Sequence, residues 1–105
     1  MKKKKIPTYY EDLLKMLRDP ARAGGYLNAA LQDDDKRTFL LALRDVAEAQ
    51  GGMTKVARLT NISREHLYSM LSKKGNPGLE TLKNLLGAIG LKLAIETKSE
   101  DKKAA

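Results

Sequence analysis

What most limits this chain is how often it is broken. Asp19-Pro20, Asp33-Asp34-Asp35, Gly51-Gly52, Asn61-Ile62-Ser63, Gly75-Asn76-Pro77-Gly78 and Gly90 interrupt it at short intervals. Proline removes a backbone donor, glycine favours helix ends, and Asp, Asn and Ser divert the backbone into caps and turns. Between most of these points apolar residues recur every three or four positions, the period of a helix with one buried face. A chain patterned in this way buries its apolar stripes by stacking several short helices on one another.

The segments follow from the breaks. Tyr9, Tyr10, Leu13, Leu14, Met16 and Leu17 predict a first helix from Thr8 to Leu17. Asp19 as N-cap and Pro20 at the first helical position predict a second, with Tyr26, Leu27, Ala30 and Leu31 inward and Gly24-Gly25 weakening it. The Asp33-Asp34-Asp35 carboxylates suit the positive end of a third helix, which runs to about Gln50 with Phe39, Leu43 and Val46 on one stripe. Met53 to Leu59 is a short helix with Val56 and Ala57 inside. Residues 64–72 form another, capped by Ser63, with Leu67, Met70 and Leu71 inside. Between them Thr60-Asn61-Ile62 is a brief turn in which Asn61 can take a left-handed conformation. A last helix starts near Leu79, buries Leu82, Leu85, Leu86 and Ile89, and ends at Gly90.

The period then changes. Leu91, Leu93 and Ile95 alternate with Lys92, Ala94 and Glu96, which predicts one amphipathic strand over 91–96. The organisation is therefore a basic flexible arm over 1–7, one domain over 8–96 and a disordered polar tail over 97–105. Within the domain, N-terminal helices at 8–31 precede a core at 35–90 and the strand. A lone strand leaves its N–H and C=O groups unpaired, and the same strand of a second copy is the natural partner. This predicts a homodimer joined partly through Leu91, Leu93 and Ile95.

Composition excludes several chemistries. With 105 residues the chain is one domain, too small for a large buried active site. Cysteine is absent, which removes disulfides, thiolate catalysis and Cys-based zinc sites. His66 is the single histidine and has no nucleophile or second ligand beside it in the sequence. The three consecutive Asp point in different directions, and no further ligand cluster accompanies them, so they read as caps rather than a metal site. No apolar run approaches the ~18 residues that span a bilayer, and no apolar stretch follows Lys2–Lys5 as in a signal peptide. Carboxylates are plentiful but form no clear acid/base pair, and there is no Gly-rich phosphate loop. The expectation is a cytoplasmic binding protein with no enzyme activity, cofactor, metal or membrane partner.

Charge points to the partner. The net charge of +7 is concentrated, apart from Lys2–Lys5, in residues 51–92. There Lys55, Arg58, Arg64, Lys73, Lys74, Lys83 and Lys92 face only Glu65 and Glu80. Such a basic segment suits a polyanion, although a solubilising surface has the same composition. Two short helices joined by a tight turn make a helix-turn-helix pattern, whose second helix enters the DNA major groove and reads bases from its N-terminal residues. The outer face of that helix carries Arg64, Glu65, Tyr68, Ser69 and Ser72. Arg64 can bind a guanine edge through two hydrogen bonds, and Glu65 can accept from cytosine N4 or steady Arg64. Ser63 and Ser69 are short enough for phosphate or base contact, Tyr68 can stack or bind phosphate, and Lys73 and Lys74 can neutralise phosphates. Short helix pairs also occur in bundles that touch no nucleic acid.

The run of motifs has a relative. Phe39-Leu40-Leu41-Ala42-Leu43-Arg44-Asp45-Val46-Ala47, Gly51-Gly52-Met53-Thr54-Lys55-Val56-Ala57, Ser63-Arg64-Glu65-His66-Leu67-Tyr68 and Gly75-Asn76-Pro77 together resemble the addiction-module antidote proteins. These are HigA-like antitoxins with a lambda-repressor-type helix-turn-helix. Tyr26-Leu27-Asn28-Ala29-Ala30-Leu31 resembles the N-terminal part of that family, so the likeness covers about residues 8–96. It implies an all-α fold, a five-helix lambda-repressor-like domain with one short C-terminal strand. It also implies an antitoxin of a type II module that neutralises a RelE-like toxin and represses its own operon by binding double-stranded operator DNA. By motif position, DNA contact carries over to Ser63, Arg64, Glu65 and Ser69, with Thr54 and Lys55 beside the backbone. Two other functions fit the same residues: a toxin-inhibiting interaction module without DNA binding, and a stand-alone phage-type repressor.

Overall fold

The computed structural model describes residues 8–98. In order, the elements are α1 (Thr8–Leu17), α2 (Pro20–Leu31), α3 (Lys36–Ala49), α4 (Met53–Thr60), α5 (Arg64–Met70) and α6 (Leu79–Ala88). The described chain is all-helical. The expected arm at 1–7, and all of the expected tail except residues 97 and 98, lie outside the described residues.

The helices begin where side chains take over orphan N–H groups. Asp19 Oδ1 accepts from the Ala21 N–H at 3.1 Å, and Pro20 opens α2. Asp33 Oδ1 accepts from the Asp35 N–H at 2.8 Å, and Asp35 Oδ1 accepts from the Arg37 N–H at 3.0 Å. The Arg37 guanidinium grips the same Asp35 carboxylate and holds its pKa down at about 2. Two of the three aspartates thus serve the turn into α3. Helix α2 runs unbroken through Gly24-Gly25, because Ala23 and Leu27 on either side are buried in the core.

Helix α3 is the spine. It packs against α1 and α2 on one side and α4 on the other, while α4 also carries α5 and α6. Leu43 and Val46 are buried near its centre, with Leu17 and Leu27 from one half and Val56, Leu67, Leu71, Leu85 and Ile89 from the other. Each fully buried Leu or Val contributes roughly 1.5–3 kcal/mol relative to exposure. Two polar ties fasten the N-terminal pair to the spine. The Gln50 amide donates to the carbonyls of Leu17 at 2.9 Å and Arg18 at 3.0 Å, closing the end of α1. The Tyr26 hydroxyl donates to Asp45 Oδ2 at 2.9 Å.

Three expectations are corrected. There are six helices among the described residues rather than five, because the two N-terminal helices add to the four of the core. No strand forms at 91–96. The Gly90 N–H reaches the Gly87 carbonyl at 3.2 Å, and the Leu91 N–H reaches the Leu86 carbonyl at 2.8 Å, with Gly90 at φ +83°. This is a Schellman ending of α6, so the first residue of the alternating run belongs to a helix stop. Beyond it, residues 92–98 have no backbone ladder among the described residues, and alternation without a partner edge does not make a strand. Finally, Leu31, expected inside, is 53% exposed at the last position of α2, where Gln32 already caps the helix.

Candidate nucleic-acid interface

The α4–α5 pair is joined by Asn61, Ile62 and Ser63. Asn61 sits at φ +61°, the left-handed region that its short amide side chain tolerates, and this turns the chain sharply. The N–H groups of Asn61 and Ile62 close the end of α4 on the carbonyls of Arg58 and Ala57, at 3.4 and 3.1 Å. Ser63 Oγ then accepts from the His66 N–H at 3.1 Å and starts α5. Leu67 and Leu71 are fully buried and fix the inner face of α5. The turn is also tied to α6: the Asn84 amide donates to the Thr60 carbonyl at 3.1 Å, while the buried Thr60 hydroxyl donates to the Val56 carbonyl at 2.8 Å.

Onto this scaffold the expected site residues fall unevenly. Thr54 and Lys55 are exposed in the first turn of α4, and the Lys55 stem lies over Gly51. Arg64, Glu65 and Ser69 are exposed on α5. Ser63 is exposed too, but its hydroxyl is engaged in the cap. Lys73 and Lys74 are exposed on the turn after α5, which Ser72 organises by donating to the Ser69 carbonyl at 2.7 Å and accepting from the Lys74 N–H at 3.3 Å. The exposed face is thus short, polar and net basic.

Tyr68, expected on the outer face, is less open than its neighbours Arg64, Glu65 and Ser69 there. It is half-buried, and two guanidiniums lie over its ring, Arg64 at 5.4 Å and Arg44 at 5.0 Å from the centroid. Arg64 and Tyr68 are four apart on one helix face, so their contact follows from α5 itself. Arg44 comes from α3, and no sequence signal marks it: nothing local connects a residue of one helix to a ring on another. Leu91, expected at a dimer interface, is half-buried beside Gly24 of α2, whereas Leu93 is 39% and Ile95 97% exposed.

Comparison with known proteins gives two matches. The sequence model of a family described as "probable addiction module antidote protein" matches residues 8–97. An uncharacterized protein of Haemophilus influenzae strain Rd is 41% identical over 71 residues, covering 68% of this chain and 72% of that protein. No solved structure matches. Among the described residues no helix is long and apolar enough to cross a membrane.

Proposed function

Because the chain belongs to the probable addiction module antidote family, and an antidote acts on a toxin, we propose that it is the DNA-binding antitoxin of a type II module. In this reading it neutralises a RelE-like toxin in the cytoplasm and represses its own operon in HigA-like fashion, as a binding protein rather than an enzyme. The observation that carries the DNA half is α5 itself. Its buried Leu67–Leu71 stripe holds it against the domain while Arg64, Glu65 and Ser69 face solvent, followed by Lys73 and Lys74. That is the arrangement by which the second helix of a helix-turn-helix offers base-reading side chains to a major groove and cations to the phosphates. Thr54 and Lys55 stand at the start of the preceding helix, the usual place for backbone contact. Ser63 contributes as the cap that sets the helix start.

Self-association belongs to the same proposal. A helix-turn-helix dimer engages two half-sites about 34–36 Å apart and gains affinity from both. The exposed Leu93 and Ile95, continuing from Leu91, are the apolar side chains available near the end of the domain for a second copy.

The test has two arms. DNA from upstream of this reading frame should be bound tightly and with strong salt dependence, and unrelated DNA should be bound far more weakly. The product of the adjacent reading frame should co-purify with this protein when both are expressed. Co-purification without DNA binding at low salt would leave a toxin-inhibiting module only; DNA binding without a neighbouring toxin would leave a stand-alone repressor.

A further inference from the structure

Two cations from different helices share one aromatic ring. Arg44 on α3 and Arg64 on α5 lie over Tyr68, at 5.0 and 5.4 Å from its centroid. Neither guanidinium has a carboxylate within 4 Å among the described residues. The nearest acid in sequence, Asp45, accepts the Tyr26 hydroxyl instead. Asp45 feels the Arg44 charge without pairing with it, and the face of a ring neutralises a cation only in part. A guanidinium held over a ring and without a carboxylate partner keeps N–H groups free, and these match the oxygens of a phosphate.

We infer that Arg44, held over the Tyr68 ring that Arg64 of α5 also meets, contacts a backbone phosphate of double-stranded DNA and leaves Arg64 to the bases, so that α3 is part of the interface. The inference rests on the DNA-binding reading of α5 and adds to it a contact outside the helix-turn-helix segment. Arg44 holds the phosphate. Tyr68 is a positioning residue that holds Arg44 beside α5. The contact carries no sequence information and fixes how α5 sits against the duplex. A carboxylate of the toxin is the other chemistry that such a cation would accept, and the experiment separates the two.

The probe is a mixed-sequence DNA duplex, titrated over a range of salt concentrations. Non-specific binding is almost wholly electrostatic, so each lost phosphate contact lowers the log–log salt slope by about 0.9. Arg44→Gln should lower the slope by that amount and weaken binding equally on every sequence, Arg44→Lys should preserve the slope, and Tyr68→Leu should lower it where Tyr68→Phe does not. In the wild-type protein the Arg44 Nε–Hε resonance should move on adding duplex, a readout that needs no variant to fold. Wild-type protein that binds duplex while this resonance stays still, or while folded Arg44→Gln keeps the full slope, overturns this site and leaves the α5 reading standing. Wild-type protein that binds no duplex even at low salt overturns both. An Arg44 resonance that moves with the co-purified toxin and not with duplex overturns the phosphate assignment in favour of a protein carboxylate.

Discussion

The two glycines of the loop after α5 should respond in opposite ways to a side chain. Gly75 is buried, and a methyl group on it would lie 1.8 Å from the Met70 carbonyl oxygen and 2.5 Å from its carbon. Those atoms are backbone at the end of α5, so no rotamer change relieves the collision. Either the last turn of the helix opens or the loop lifts away. Overpacking that side chains can absorb costs typically 1–3 kcal/mol; with only backbone to move, Gly75→Ala belongs at the upper end, about 3 kcal/mol. For a domain of this size each kcal/mol moves Tm by roughly 4–8 °C, so the expected fall is about 12–24 °C. Gly78 has open space around it and sits at φ −72°, ψ 171°, the extended geometry of an N-cap, before a helix whose start has no side-chain cap. Gly78→Ser supplies the missing acceptor and stiffens the unfolded chain, for a gain of about 0.5–1 kcal/mol. Paired thermal melts followed by far-UV circular dichroism read both. A Gly75→Ala melt within 4 °C of wild type, or a Gly78→Ser protein less stable than wild type, would refute the reasoning.

Three further predictions concern other parts of the molecule. Arg64→Ala should cost ~1–3 kcal/mol of operator binding and relax discrimination at one base pair per half-site; a panel of single-base operator variants checks this, and equal loss on every variant would make Arg64 only a phosphate contact. Replacing Leu93 and Ile95 together by Ser should weaken self-association in sedimentation equilibrium without lowering the melting temperature, because both side chains are exposed in the single chain; an unchanged dissociation constant would remove them from the interface. The Tyr26 hydroxyl is pushed up to about 12 by burial and by its bond to Asp45, and Tyr10 is raised as well. The unfolded chain therefore releases these protons first, and stability should be intact below pH 10 and fall as pH rises toward 12. Tyr26→Phe should flatten that fall and cost about 1–2 kcal/mol near neutrality, since the half-buried Asp45 loses its donor; a denaturant series at several pH values measures both.

The local breaks were legible and the long-range ties were not. Asp19-Pro20, Asp35, Asn61, Ser63 and Gly90 each act within two to five residues of themselves, through bonds such as Ser63 Oγ to the His66 N–H, and a sequence displays such partners directly. Period three-to-four also placed Leu43, Val46, Val56, Leu67, Leu85 and Ile89 inside correctly. The run at 91–96 misled because alternation records only which side of an extended segment is apolar. Whether a ladder forms depends on a partner that a single segment cannot reveal. Tyr68, expected on the outer face, is half-buried there, and one cation over its ring, Arg44, is twenty-four positions away on another helix, out of reach of helical spacing. The Gln50 amide on the carbonyls of α1, more than thirty residues earlier, was equally invisible.

Those unseen ties change how the two halves of the domain relate. Charge alone separates a near-neutral N-terminal half from a basic one, and suggests two pieces with two tasks. The structure joins them mainly through one helix. Helices α1 and α2 pack chiefly on each other and on α3, and α4 carries the remaining helices from the other side of it; Leu91 beside Gly24 adds a contact after α6. On α3, Asp45 takes the Tyr26 hydroxyl of α2, while its neighbour Arg44 reaches the Tyr68 ring of α5. Consecutive residues of a helix point about 100° apart, so one turn of α3 can hold both halves at once. A partner that shifts α2 against α3 therefore acts beside the residue that supports Tyr68 and Arg64. Loss of the Tyr26 hydroxyl should then be felt on two scales: in stability, through the half-buried carboxylate, and in DNA affinity, to the extent that Arg44 moves with its helix. Tyr26→Phe measured by both melting and duplex binding separates them. A change in stability with wholly unaltered binding would mean that α3 is rigid enough to keep the two ends independent.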